Sequence, residues 1–408
     1  MKVALITFLF EPEIGGGAAI SVRLLAHDLA RWGHQVVVIT TCPRGQAGVE
    51  RSGEVTVYRF FPRNLYWIGE KDRQPAWKKG LWQLLDVWNP HAFWAVRHIL
   101  AQERPDIVHV HKLRGLSPSV WAAAGRAPLV QTCRDYELMS PEGTLSGQVG
   151  RWVQQGAWFL RPYQWLRAWF SRRIAAATAP SHYTLEMLTA RRFFPQAIRR
   201  VVPNSHGLTL EQLAQRRREV MARPVCQDGR MHLLYLGRLE AVKGVDLLCA
   251  AFERCAVHFP DLHLDIAGWG TLEPVLRQRY DRHPQITFHG PLFGEAKDRL
   301  FAQSDLLVVP SVWPEVFGIV IAEAYTCGKP VIATLAGGIP EIVEEGITGF
   351  LLPPGDINAL IETLCRVAAD PSSVRRMAPA CFERARAYSV ERMTEQFLSL
   401  YSDLRAVA

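Results

Sequence analysis

What the sequence lacks narrows the field first. It holds no apolar run of the ~18 to 20 residues that a membrane-crossing helix needs. The opening MKVALITFLF meets Glu11, Pro12 and Glu13 almost at once, so it is expected to be a buried strand rather than a secretion signal. Eight cysteines (42, 133, 226, 249, 255, 327, 365 and 381) form no Cys-x-x-Cys pair and no Cys/His group at zinc spacing. That argues against a zinc module or a disulfide framework and for the reducing cytoplasm. No solenoid or propeller period and no low-complexity tract occurs. Charged residues make up only 21% against 49% apolar, a balance that excludes a disordered chain.

What is present implies two domains, since 408 residues exceed one ordinary hydrophobic core. Short apolar runs (VALITFLF, VVVIT at 36–40, DIVHV at 106–110, PLVQT at 128–132, ATAP at 177–180, RRVVP at 199–203) alternate with longer amphipathic stretches. The rhythm stops over an irregular polar stretch at about 204–230. It restarts with HLLYLG, HLDIAG, ITFHG, DLLVVPS and PVIAT. Strand and helix in this alternation predict two doubly wound parallel-sheet α/β domains with a boundary near Pro203–Gly207. Residues 386–408 read as one last amphipathic helix whose docking place the chain order does not reveal.

Charge is uneven. Residues 1–200 carry 26 Lys and Arg against 14 Asp and Glu, and the remainder 21 against 25. The basic half suggests an anionic partner. Within it, RWVQQGAWFLRPYQWLRAWFSRRI (151–174) has five arginines, four tryptophans and no acid, a composition suited to the headgroup layer of an anionic membrane. Two short helices broken at Pro162 are expected there. The plainer alternative is a helix pair with tryptophans in the core and arginines in solvent. Nucleic acid is not expected, because no recognised binding module accompanies the segment.

Four stretches carry candidate chemistry. Gly15-Gly16-Gly17 open a helix after the first strand, where backbone can approach an anion. The spacing is not the Gly-x-Gly-x-x-Gly of dinucleotide binders, and a tight turn explains the same glycines. In YLGRLEAVKG, Arg238 and Lys243 lie just past a strand end, where parallel sheets bind ligands, and could clamp a diphosphate; two solvated cations are the alternative. IAGWG repeats the logic with Gly268 and Gly270. PEVFGIVIAEAYTCGKP (314–330) sets two acids, Glu315 and Glu323, in an otherwise apolar strand-loop-helix. A half-buried carboxylate is costly without a partner, so each needs a cation or a ligand that donates hydrogen bonds.

Glu315, seven residues, then Glu323, within P-E-x-F-G-x-x-x-x-E-A and followed by G-K-P-V-I-A-T-x-A-G-G-I-P-E-I-V, resembles the retaining GT-B glycosyltransferases related to glycogen synthases and bacterial mannosyl- and glucosyltransferases. Gly237-Arg238 with Lys243-Gly244, the triple-glycine loop and D-I-V-H-V-H (106–111) extend the likeness over the chain. The resemblance implies two facing Rossmann-like domains. Residues 1–204, with a helix of about 390–408 packing back, would bind the acceptor, and 205–389 the sugar nucleotide. By position, Arg238 and Lys243 would hold the diphosphate, Glu323 the ribose and Glu315 the transferred sugar. Backbone at Phe317, Gly318 and Ile319, and the loops at Gly16-Gly17 and Gly268/Gly270, would complete the donor site. His111 would lie near the transferred sugar.

Cys133-Arg134-Asp135 departs from the His-Asp of many relatives, so Arg134 and Asp135 are candidates for an acceptor that bears phosphate. Pro203-Asn204-Ser205 likewise replaces Pro-Asn-Gly. The expected function is retaining transfer from a UDP- or GDP-sugar to a lipid-linked or saccharide acceptor, on the inner face of the membrane. No cofactor is expected, and no metal, since an Asp-x-Asp pair is missing. A sugar-nucleotide epimerase or hydrolase, and a non-catalytic binder, are the alternatives. Base, sugar, acceptor and linkage, oligomeric state, and the choice between attack on the donor's own face and a short-lived covalent intermediate stay open.

Overall fold

The structure, a computed structural model, describes residues 1–13, 16–145, 147–222 and 230–407. The chain divides into two compact units: Met1–Asn204 together with the residues from Met393 onward, and Ser205–Arg392.

The first unit is built on eight strands: Lys2–Ile6 (β1), Gln35–Thr41 (β2), Gly48–Ser52 (β3), Val55–Phe60 (β4), Ile107–Val110 (β5), Leu129–Thr132 (β6), Ala176–Ala179 (β7) and Ile198–Val201 (β8). Their order is β3-β4-β2-β1-β5-β6-β7-β8, parallel throughout except for the hairpin β3/β4. β5, β6 and β7 are buried along their whole length. Their few polar side chains, His109, Gln131, Thr132 and Thr178, are buried with the apolar ones, so these strands do not alternate between a buried and a solvent face. The edges carry charge instead, Glu50 and Arg51 on β3 and Arg199 and Arg200 on β8, which discourages further pairing. The helix Val390–Val407 adds Met393, Phe397, Leu400, Tyr401 and Leu404 to the core around β1, β2 and β5, a stripe at three- and four-residue spacing.

The second unit has six parallel strands, Met231–Leu236 (β9), Leu262–Ala267 (β10), Ile286–Gly290 (β11), Leu306–Val309 (β12), Val331–Thr334 (β13) and Gly349–Leu352 (β14), in the order β11-β10-β9-β12-β13-β14. In both sheets the strand order reverses once, at β1/β5 and at β9/β12. At such a point the loops leave the strand ends in opposite directions and open a crevice.

Three features differ from expectation. The hairpin β3/β4 and strand β14 were not foreseen, because their sequences are too polar or too embedded in turn residues to stand out. The stretch expected to be irregular contains the helix Leu210–Met221. Only Leu213 of that helix is buried, so it shows no apolar period, and its start is fixed by Thr209 and Gln212 capping each other's backbone. Cys226 and Gly15 lie outside the described residues; the other seven cysteines are free thiols. No helix among the described residues is long and apolar enough to cross a membrane.

Candidate functional site

In the second unit the chain leaves β9 through Gly237-Arg238, makes a short turn Ala241–Lys243 and enters the helix Val245–Ala256. The adjacent β12 leaves through Pro310–Glu315 into the helix Ile319–Tyr325. Both loops therefore emerge at the β9/β12 reversal, and they meet through Glu315. This carboxylate is buried, and its Oε1 accepts from Lys243 Nζ at 2.6 Å, Ser311 Oγ at 2.6 Å and Trp313 Nε1 at 2.9 Å. Oε2 has no partner among the described residues. The Lys243 ammonium also sits 4.8 Å from the centre of the Trp313 ring.

The backbone of Glu315 is held as firmly as its side chain. Gly338 N–H donates to its carbonyl at 2.7 Å, and Gly337 forms a bridge with it at φ +66°; a Cβ on Gly337 would lie 2.2 Å from the Glu315 carbonyl oxygen. Only glycine permits that approach.

Glu323, half-buried on the helix Ile319–Tyr325, accepts from Lys297 Nζ at 2.8 Å through Oε1. The plain alternative of a helix carboxylate paired with a lysine is thus realised, yet Oε2 stays without a partner among the described residues. Arg238 is exposed, and no carboxylate of the described residues neutralises it. Phe317 is a core side chain packed edge-on against Tyr388, so only its backbone could serve a ligand; Gly318 is the N-cap of the same helix, and Ile319 packs on the core.

Gly268 and Gly270 turn out to serve the loop after β9. A Cβ on Gly268 would lie 1.7 Å from Gly237 O, and one on Gly270 2.4 Å from Leu239 O. The close approach these glycines permit is to neighbouring backbone, which supports Arg238 from behind.

In the first unit, His111 follows β5 and Arg134 follows β6. His111 N–H bonds Ile6 O at 2.8 Å, and its ring lies 3.9 Å from that of His109, whose nitrogens engage Tyr401 and Thr132. His111 is 1% exposed, and neither of its ring nitrogens has a partner among the described residues. Burial, with His109 and Arg134 nearby, holds its pKa well below the usual histidine value, so the ring is neutral.

Arg134 donates through Nη1 to Asn204 and keeps Nε and Nη2 unpartnered. Asp135 is paired with Lys112 and accepts Glu137 N–H at 3.0 Å, so it braces a neighbour rather than standing open. Gly16 takes φ +91° at the start of the helix Gly17–Arg31, with open space where a Cβ would project.

A buried group near this edge escaped the sequence. Asp86 is pushed up to about 8 by burial, an effect that Arg167 opposes. Glu137 is also raised by burial, and Arg167 lies over the Tyr163 ring at 4.4 Å. Arg167 is thus a core residue, contrary to its expected place among the surface arginines; the run of basic residues around it gave no sign of this.

The segment 151–174 does form two helical pieces, but Pro162 begins the second helix, Arg161–Phe170, rather than breaking one. Trp158, Trp165 and Trp169 are 77%, 66% and 49% exposed, against the alternative that placed them in the core. Rings continue from Trp169 through Phe170, Trp88 and Phe93 to Trp94, each step 4.9 to 6.4 Å between centres.

Comparison with known proteins covers both units. A model described as "Glycosyl transferase 4-like domain" matches residues 16–205, and one described as "Glycosyl transferases group 1" matches 230–370. An uncharacterized 42.6 kDa protein in the cps region of Klebsiella pneumoniae is 24% identical over 98% of this chain and all of its own. Sucrose-phosphate synthase from Thermosynechococcus elongatus shares the fold at a TM-score of 0.75 and 24% identity, each chain covered in full. Anabaena HepE, solved in complex with UDP-glucose, aligns at 0.65 and 20% over 99% of this chain and all of its own. With strand-end loops, an E-x7-E pair and both halves matched, the chain belongs to the group 1 glycosyltransferases and has the GT-B fold.

Proposed function

We propose that this glycosyltransferase moves a sugar, with retention of anomeric configuration, from a UDP- or GDP-sugar to a lipid-linked saccharide in cell-surface polysaccharide or glycolipid assembly. The observation that carries the reading is the cluster at the ends of β9 and β12. There Glu315 and Lys243 are joined, Arg238 has no counter-charge among the described residues, and Glu323 lies within the helix that follows. The open Oε2 atoms of Glu315 and Glu323 suit hydroxyl donors, the first from the transferred sugar and the second from the ribose.

As the glycosidic bond to phosphate breaks, negative charge grows on the leaving diphosphate. Arg238 and Lys243 stabilise it in place, and each such preorganised contact lowers the barrier by ~3 to 4 kcal/mol. The acceptor hydroxyl attacks from the face the phosphate leaves, and a phosphate oxygen takes its proton, which preserves configuration. In this scheme the two cations neutralise the diphosphate, so a chelator should leave the rate unchanged. HepE, solved with UDP-glucose, supports the donor class, and the relative in a cps region supports a polysaccharide acceptor.

Radiolabelled UDP- and GDP-sugars offered with a panel of lipid-linked and free saccharides test the reading. Label should pass to an acceptor with the anomeric centre unchanged. Release of free sugar, or an altered nucleotide sugar without transfer, would replace it with hydrolysis or epimerisation.

The exposed rings at Trp158, Trp165, Trp169 and Trp94, with Arg151, Arg161, Arg172 and Arg173 in solvent, are proposed to rest on an anionic bilayer. Flotation with liposomes should show binding that rises with anionic lipid, falls with salt and weakens in a Trp158/Trp165/Trp169→Ala triple variant. Failure to float at low salt on strongly anionic vesicles would leave a soluble acceptor.

A further inference from the structure

Arg134 is a buried cation with no counter-charge among the described residues. It is 8% exposed, one guanidinium N–H is used by Asn204 Oδ1, and Nε and Nη2 have no partner. The acids nearest in sequence are engaged elsewhere: Asp135 by Lys112, and Glu137 Oε1 by Leu113 N–H at 2.8 Å. Burial draws the Arg134 pKa down to about 10, and no carboxylate acts on it. A desolvated guanidinium with two idle donors is costly, and evolution tolerates such a group where a ligand completes it.

Its surroundings select for an anion. Ser21 Oγ lies 3.4 Å from the same Asn204 oxygen that Arg134 engages, which sets the guanidinium beside the N-terminal turns of the helix Gly17–Arg31. That helix has 15 residues and no acid in its first turn, so its free N–H groups and dipole favour negative charge. His111, neutral and 1% exposed, offers a ring N–H with no other use. Donors come from three elements here, and among the described residues Asn204 Oδ1 answers only one N–H of the Arg134 guanidinium, leaving Nε, Nη2 and the His111 ring without a partner.

We propose that Arg134, His111 and the start of the helix Gly17–Arg31 form an oxyanion pocket that takes a phosphate or carboxylate group carried by the acceptor. The proposal rests on the nucleotide-sugar reading above. In that reading the donor's diphosphate already has Arg238 and Lys243 in the second unit, so the anion that completes Arg134 is a further one. The acceptor class is then an anionic saccharide or a phosphate-linked lipid saccharide rather than a neutral glucan.

The test uses inorganic phosphate and glycerol 3-phosphate, titrated into the full chain by calorimetry after saturation with whichever of UDP or GDP binds. The wild type should bind one phosphate probe with the nucleotide in place. Arg134→Gln should weaken that binding at least tenfold and leave nucleotide affinity within twofold. Phosphate that competes with the nucleotide, or nucleotide affinity that falls with Arg134→Gln, would give the arginine to the donor and overturn the proposal; so would no phosphate binding at millimolar concentration.

Nucleotide binding is measured in the same series, so failure of the donor reading shows separately as no response to either nucleotide. Arg134→Met guards against a folding artefact. Without ligand it should melt several degrees above the wild type, having lost an unpaired buried charge, and phosphate should no longer raise its melting point. A lower melting point with the phosphate response intact would make the guanidinium a structural group only.

Discussion

The carboxyl edges of the two sheets handle charge in opposite ways. In the second unit both site carboxylates rest on lysines, Glu315 on Lys243 and Glu323 on Lys297, with each bond made through one oxygen only. In the first unit His111 is 1% exposed and Arg134, at 8%, is as buried as Glu315, yet four of their nitrogens have no partner among the described residues. At the second edge one oxygen of each carboxylate is already paired with a lysine. A donor must share or displace internal partners there, which leaves a stable resting protein and moderates affinity. The first edge forgoes stability and gains more from whatever anion arrives. One fold thus carries a site whose acids are ion-paired and one whose buried cation is not, on comparable strand ends.

The strongest way to break this contrast is to open the closed edge. Lys243→Met should lower kcat/KM by ~100-fold or more, since it removes a cation from the developing diphosphate charge. It also leaves Glu315 buried with only Ser311 and Trp313 as donors, so the unfolding midpoint in urea should fall as well. Glu315→Gln should lower kcat by a similar factor with little change in KM. Steady-state kinetics beside urea melts separate the two effects. A loss under threefold in folded Lys243→Met would return that lysine to a structural pair.

A smaller effect is expected at Glu323, whose proposed partner is ribose rather than the reacting centre. Glu323→Ala should raise the donor KM ~10-fold and leave kcat within a factor of about two. Lys297→Ala, which frees the carboxylate without removing it, should shift KM by less. Equal losses of kcat in the two glutamate variants would erase the distinction between their roles.

The open edge predicts a pH response. His109 and His111 are both held well below the ordinary 6.5, chiefly by burial, so the folded chain resists a proton that the unfolded chain accepts. Their stabilisation is complete above pH 6.5 and is lost as pH falls beneath it, by ~1.4 kcal/mol per pH unit for each histidine. His206 of the second unit, lowered to about 4 by burial, acts in the same direction. Urea melts at pH 7.5 and 5.5 should therefore differ by a few kcal/mol, and His111→Asn should narrow the gap. An unchanged gap would place the acid sensitivity elsewhere.

Much of the second unit's site was legible because it is local. Strand end, loop acid and helix acid lie within one short stretch, so spacing alone carries the geometry from β12 to Glu323. What stayed hidden depends on contacts distant in sequence. Lys297 reaches Glu323 across 26 residues and Arg134 reaches Asn204 across 70, and no periodicity reports such pairs. Gly268 and Gly270 were visible as close-approach residues, but not that the approaching group is the loop at Gly237–Leu239. The buried state of Arg167 was concealed by its basic neighbours, which lie in solvent. The edge strand β3 was hidden by its polarity.

The central claim is that the second unit holds a nucleoside diphosphate through the E-x7-E pair, with Glu323 on the ribose and Glu315 on the sugar. Calorimetric titration of wild type, Glu323→Gln and Glu315→Gln with UDP, GDP and ADP tests it most directly, because these ligands carry the ribose and lack the sugar. One of the three should bind the wild type at one site per chain, about tenfold more weakly to Glu323→Gln and unchanged to Glu315→Gln. Binding of none of them, or equal affinity for wild type and Glu323→Gln, would contradict the account.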